Sequence, residues 1–209
     1  MHNIVIVEDQ AVIRDSLKLL IESHKQAKVV DSFSNGKTFL DALDTLSEEI
    51  VLMDINMPVM DGVEAAKEAL KLRPALKILA LSAHGDETNY YKMVDAGVKG
   101  FVIKGADTDE INLAINTVAE GGSWFSPDLL RTVAGGLKDN QTDNKSLTEK
   151  ELQLLHFLSE GFSDNEIAEE FKETPEKVRK QRNALLAKTK CTNAASLVMY
   201  AIKNQIIKV

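Results

Sequence analysis

Four short apolar runs in the first hundred or so residues each end in a polar side chain. Ile4-Val5-Ile6-Val7 leads into Glu8-Asp9, and Ile50-Val51-Leu52-Met53 into Asp54; Ile78-Leu79-Ala80-Leu81 leads into Ser82, and Phe101-Val102-Ile103 into Lys104. Unbroken apolar runs of this length read as buried strands of a parallel sheet. In an open parallel sheet, ligands bind beyond the carboxyl ends of the strands. Glu8, Asp9, Asp54, Ser82 and Lys104 are therefore expected to converge. Three carboxylates, a hydroxyl and an ammonium suit a hard cation together with a phosphoryl group.

Helical periodicity fills the gaps. Ile13, Leu17, Leu20 and Ile21 form one apolar stripe, Phe39, Leu40 and Leu43 a second, and Val63, Ala66 and Leu70 a third. Two further helices are predicted from Glu87 to Ala96, ending at Gly97, and from Asp109 to Glu120, ending at Gly121-Gly122. With strands at 3–7, 29–32, 50–53, 77–82 and 100–103, residues 1–122 read as a doubly wound α/β domain on a five-stranded parallel, flavodoxin-like sheet. Residues 123–146 read as a linker. Ser126-Pro127 is a candidate helix start, and the polar run Lys138–Lys145 has no apolar period. Residues 147–209 read as an all-α domain of four helices. Thr148-x-x-Glu151 and Ser163-x-x-Glu166 are capping boxes, Thr174-Pro175-Glu176 is a helix start, and Thr192 is the expected cap of the last helix.

Charge separates the two halves. Residues 1–146 carry a net −8 and residues 147–209 a net +1, so the overall −7 conceals a basic segment. Lys177, Arg179, Lys180, Arg182, Lys188 and Lys190 fall within fourteen residues that contain no acid, a local patch suited to nucleic acid. A single cysteine, Cys191, excludes an internal disulfide. No stretch approaches the ~18 apolar residues of a membrane span, and the amino terminus lacks the pattern of a secretory signal. The expected location is the cytoplasm.

Asp54 is the expected nucleophile, since a carboxylate can accept a phosphoryl group as an acyl phosphate. Asp9 and Asp54 can ligate Mg2+ directly, with Glu8 reaching it through water and a backbone carbonyl near Asn56 completing the protein ligands. Lys104 would pair with phosphoryl oxygens and Ser82 would donate a hydrogen bond to one. Around Asp54 the sequence Asp54-Ile55-Asn56-Met57-Pro58-Val59-Met60-Asp61-Gly62 reads strand, tight loop, helix start. With these residues, positions 2–122 closely resemble the receiver domain of bacterial two-component response regulators. The resemblance implies phosphorylation of Asp54 by a cognate histidine kinase with Mg2+ as cofactor. It also implies that Phe101 is an aromatic switch whose ring reorients as Ser82 moves toward the phosphoryl group. Gly105 stands where many receivers carry proline. His84, two residues after Ser82, borders the site and reads as a surface histidine, the alternative being a residue that tunes dephosphorylation; Gly36-Lys37-Thr38 lacks the glycine a phosphate loop needs five residues earlier, where Asp31 stands.

In the last domain, residues 166–171 and 174–189 have helix-turn-helix proportions. At 3.6 residues per turn, Arg179, Arg182 and Asn183 share one face with Lys180 beside it, while Val178, Leu185 and Leu186 point inward. Arginine can read guanine and asparagine adenine; Lys177 and Lys188 suit phosphates. Leu147-Thr148-x-x-Glu151, Gly161-x-Ser163, Glu166-Ile167-Ala168 and Val178-Arg179 make residues 147–207 similar to the LuxR/NarL/FixJ output domain. Lys177, Gln181 and Thr189 depart from that pattern. Together the two resemblances imply a phosphorylation-switched transcription regulator acting on double-stranded DNA, as a homodimer once activated. Two rivals are an adaptor working through protein contacts without DNA, and an Asp-nucleophile phosphatase. The latter is disfavoured because Asn56 stands where such an enzyme carries a second carboxylate.

Overall fold

The protein is described here from a computed structural model covering residues 1–23, 25, 27–47, 50–83, 87–126, 147–204 and 206–207. His84 and residues 127–146 of the expected linker lie outside the described residues.

The strands are β1 (His2–Val7), β2 (Ala27–Phe33), β3 (Ile50–Asp54), β4 (Lys77–Ser82), β5 (Gly100–Ile103) and β6 (Trp124–Phe125). They form one parallel sheet in the order β2-β1-β3-β4-β5-β6. Helices α1 (Ala11–Ser23), α2 (Gly36–Ala42), α3 (Gly62–Leu72), α4 (Glu87–Ala96) and α5 (Thr108–Ala119) cover its two faces. Alternation along each strand divides the core. Ile4, Ile6, Leu52, Leu79, Leu81 and Val102 pack toward α1 and α5, while Val5, Val7, Val51, Met53, Ile78 and Ala80 pack toward α2, α3 and α4. Burial on both faces is why these strands are continuously apolar.

The sequence reading expected five strands; the described residues form six. β6 lies in the stretch read as linker, and two residues are too few for period-2 patterning to register. Gly100 makes its pairing possible, because a Cβ there would fall 2.0 Å from the Trp124 carbonyl oxygen.

The chain leaves β1 for β2 on one side and later enters β3 on the other, so the strand order reverses between β1 and β3. Glu8-Asp9 and Asp54 sit at that switch point, where ligands bind in such sheets. The loop after Asp54 folds back tightly. Gly62 N–H donates to the Ile55 carbonyl at 2.9 Å, and Val59 takes φ +72° as Met60 N–H closes onto Pro58 at 2.9 Å. Gly62 is needed for space rather than for an unusual backbone angle: a Cβ would lie 2.1 Å from the Asp54 carbonyl oxygen. Gly62→Ala is expected to cost about 3 kcal/mol through forced displacement of the β3–α3 loop. Chemical denaturation checks this, and a stability equal to wild type would refute the packing account.

The second unit comprises α6 (Glu149–Ser159), α7 (Asp164–Phe171), α8 (Pro175–Thr189) and α9 (Ala194–Lys203). Both expected capping boxes form, Thr148 with Glu151 and Ser163 with Glu166. The cap of α9 is Asn193 rather than Thr192; the Asn193 side chain accepts from Ser196 N–H, the register that buries Leu197, Val198, Ala201 and Ile202. In α6 the buried residues are Leu154, Leu155 and Leu158, with Leu152 left at the surface.

The two units touch. Asn193 Nδ2 donates to the Val94 carbonyl at 2.9 Å, joining the start of α9 to α4. Gly122 and Gly161 meet so closely that a Cβ on Gly122 would lie 2.4 Å from the Gly161 carbonyl oxygen.

Candidate functional site

Glu8, Asp9 and Asp54 come together as their strand-end positions require, each offering a carboxylate oxygen within 4.8 Å of the others. Glu8 is fully buried and Asp54 is 2% exposed. Lys104 reaches in from the end of β5, its Nζ 2.8 Å from Asp54 Oδ2 and 2.9 Å from Glu8 Oε2. One ammonium thus bridges two buried carboxylates.

Burial raises the pKa of Asp54 above the ordinary carboxylate range, against the opposing pull of Lys104. Glu8 is raised for the same reason, with the Asp54 charge adding to burial. Burial works against the charged form of Lys104, but its bonds to Asp54 and Glu8 outweigh that and hold its pKa above the ordinary value. The site is short of positive charge. Asp9 Oδ1 is buried with no hydrogen-bond donor, an orphaned hard acceptor beside two other carboxylates, and the donor set is all oxygen. These residues fit a divalent cation such as Mg2+.

The other predicted residues divide. Asn56 is beside the site, its N–H donating to Asp54 Oδ1 at 3.3 Å. Ser82 ends β4 and is buried, but its hydroxyl donates to the Ala83 carbonyl at 3.1 Å and so points along its own chain. Phe101 is fully buried, its ring stacked on Tyr90 at 4.1 Å between centroids and 6.2 Å from that of Phe125. Gly105 takes φ +105°, an angle closed to proline.

Three supporting residues escaped the sequence reading. Arg14 Nη1 donates to the Glu8 carbonyl at 2.6 Å and fixes the acidic loop; its signal was an arginine on the first turn after the acidic pair. Asn89 Nδ2 donates to Asn56 Oδ1 at 3.2 Å from α4, and nothing in the sequence marks that pairing. Tyr90 packs under Phe101 with its hydroxyl buried and unpaired, and burial raises its pKa. Its aromatic character was visible, though its partner was not.

On the basic helix α8, Lys177, Arg179, Lys180 and Asn183 are exposed, whereas Arg182 and Lys188 are half-buried. Val178 and Leu185 are fully buried and Leu186 partly so. Most of the cations are tethered to acids. Arg182 Nη1 lies 2.7 Å from Asp164 Oδ1 and Arg179 Nε 3.5 Å from Asp164 Oδ2. Lys188 lies 2.7 Å from Glu151, and Lys177 2.6 Å from Glu173. Two of the three departures from the output-domain pattern explain each other: Lys177 and Gln181 both bind Glu173, Gln181 Nε2 donating at 2.7 Å. Hydrogen bonds from Lys150, Lys177 and Gln181 hold the Glu173 carboxyl down at about 2. Thr189 donates to the Leu185 carbonyl at 2.8 Å.

The response regulator receiver domain family matches residues 4–116, which carry most of β1, all of β2 to β5, the acidic cluster and Lys104. The chain belongs to the response regulators. The family of bacterial regulatory proteins of the LuxR type matches residues 145–201, which carry the first three output helices and most of the fourth. This response regulator is 27% identical over 205 residues to the response regulator protein VraR of Staphylococcus aureus, covering 98% of each chain. It is 25% identical over 224 residues to the transcriptional regulatory protein DegU of Brevibacillus brevis, covering 99% of this chain and 95% of that one. Among solved structures, the RcsB response regulator of Salmonella typhimurium is similar in fold, with a TM-score of 0.59 at 22% identity over 96% of this chain and 98% of that one. The response regulator therefore pairs a receiver with a LuxR-type DNA-binding domain, the architecture of a two-component transcription regulator. Among the described residues, no helix is long and apolar enough to cross a membrane.

Proposed function

We propose that Asp54 of this response regulator is phosphorylated by a partner histidine kinase, and that the modification switches the LuxR-type domain on DNA. The single observation carrying this reading is the buried Asp54 carboxylate with Lys104 Nζ at 2.8 Å and the unpaired Asp9 oxygen beside it. An Asp54 carboxylate oxygen attacks the phosphorus of a phosphohistidine. The new O–P bond forms as the N–P bond breaks, and the leaving imidazole keeps the electron pair and takes up a proton. Glu8, Asp9, Asp54 and Asn56 would hold Mg2+, which when bound neutralises charge on the transferred oxygens. Lys104 pairs with a phosphoryl oxygen, Ser82 turns its hydroxyl from Ala83 to another, and Phe101 adjusts to that motion. The chain's own phosphorylation and dephosphorylation are its only chemistry.

Residues 1–122 form the receiver, which β6 extends to residue 125, the remainder of 123–146 the linker and 147–209 the output domain. On α8, Arg179, Arg182 and Asn183 face base edges with Lys180, and Lys177 and Lys188 hold phosphates. Base edges then displace Asp164 from Arg179 and Arg182, and phosphates displace Glu173 from Lys177 and Glu151 from Lys188. RcsB, similar in fold, has been solved as dimers bound to DNA; a two-fold dimer of this chain on half-sites one helical turn apart fits the same proportions. The working location is the cytoplasm, where kinase and DNA are both within reach.

Selection of bound DNA from a random pool, with and without acetyl phosphate, tests the function. Enrichment of a paired motif only with the phosphodonor is expected, lost in the Arg179→Ala/Lys180→Ala double variant. Equal recovery of unrelated sequences under every condition would remove the DNA-binding reading and leave the adaptor.

A further inference from the structure

β6 is fastened where the phosphorylation site ends. Trp124 N–H donates to the Lys99 carbonyl at 3.2 Å and Ser126 N–H to the Phe101 carbonyl at 3.2 Å. The Ser126 hydroxyl accepts from Ile103 N–H at 3.2 Å and itself donates to Glu110 of α5. Ile103 is the residue immediately before Lys104. Phe125 is 5% exposed, its ring 6.2 Å from that of Phe101 between centroids and inclined to it by 27°. Two residues upstream of Trp124, Gly122 is in backbone contact with Gly161 of the output domain. One short strand thus touches the lysine-bearing end of β5, the Phe101 ring and the covalent path to the DNA-binding helices.

A phosphoryl group on Asp54 brings acceptor oxygens that compete with Asp54 Oδ2 and Glu8 for the single Lys104 ammonium. Moving that ammonium pulls on the last residue of a four-residue strand. On one side β5 is held by β4 through four registered pairs and by Lys104 N–H on the Ser82 carbonyl at 2.8 Å. On the other it is held by β6 through two, and at Ile103 by the Ser126 hydroxyl. Strain at Ile103 and Lys104 is relieved on the weaker side.

We propose that Ser126 is a positioning residue of the phosphorylation switch: β6 is clipped to β5 while Lys104 rests on Asp54 and Glu8, and loosens when a phosphoryl group takes the ammonium. The proposal rests on Asp54 being the phosphoacceptor. Coupling of this kind is reciprocal, so a chain with a weakened clip binds a phosphoryl mimic more tightly by the factor through which the mimic loosens the clip.

Amide hydrogen exchange of the full chain, with and without beryllofluoride and Mg2+, is the direct test. The Trp124 and Ser126 amides are expected to be protected alone and to exchange at least about fivefold faster with the mimic. Ser126→Ala is expected to bind beryllofluoride with Mg2+ about fivefold more tightly than wild type, a gain that a purely structural role for the hydroxyl does not produce. Wild-type chain that takes up the mimic with unchanged protection at both amides overturns the proposal alone, as does a folded Ser126→Ala chain of unchanged or weaker affinity. Wild-type chain that takes up no mimic overturns the phosphoacceptor reading as well. The exchange measurement on wild type stands whether or not the variant folds.

Discussion

Asp54→Asn is expected to abolish phosphoryl labelling from acetyl phosphate while leaving the fold at least as stable as wild type. The amide cannot form an acyl phosphate, and no other described carboxylate combines burial, the Lys104 ammonium at 2.8 Å and the end of β3. The stability half follows from the pKa of Asp54. Burial holds it above the ordinary range, so the folded site disfavours the charged carboxylate, and a neutral side chain of the same shape is relieved of that cost. Glu8 keeps its 2.9 Å contact with Lys104 and loses a repelling neighbour. Mass spectrometry and calorimetry on the same samples separate the two effects. Full labelling of the variant would move the phosphoacceptor elsewhere. Loss of labelling together with unfolding would show that Asp54 is structural.

Lys104→Met is expected to cost about 3–5 kcal/mol at neutral pH, because it strands two buried carboxylates without their cation. The cost has a definite pH sense. With the ammonium gone, the pKa values of Glu8 and Asp54, already raised by burial, rise further. The folded state then holds those protons more tightly than the unfolded chain does. Stability is therefore greatest below the ordinary carboxylate range and is lost as pH climbs through the raised values. Urea unfolding at neutral pH and at about pH 4 is expected to show a large deficit in the first and a small one in the second. Mg2+ is expected to recover part of the neutral-pH loss by supplying charge to the same oxygens. A deficit independent of pH would mean that Lys104 contributes packing rather than charge.

The receiver is largely legible in the sequence. Val5, Val7, Val51 and Met53 are apolar because both sheet faces are covered, and such runs stand out without knowledge of the fold. Asp54 and Glu8-Asp9 were assignable because chain direction in a parallel sheet puts every strand end on one side. Capping residues such as Thr148 and Ser163 were legible for a different reason, since each acts within three residues of itself. Ser82 shows where that legibility stops. Its position followed from β4, but the direction of its hydroxyl, toward Ala83, depends on a rotamer set by its neighbours.

Sequence alone determined the order of elements, the apolar faces and the convergence of Glu8, Asp9, Asp54 and Lys104. These depend on periodicity, on local caps and on the direction of strands. Only the tertiary structure decided which acid holds which cation on α8, that Asn89 meets Asn56, that Trp124–Phe125 joins the sheet, and that Asn193 rests on Val94. Those contacts join residues remote in sequence, or recruit a strand too short to show a pattern. Their energies come from how helices and strands cross, a geometry that no local run of residues encodes.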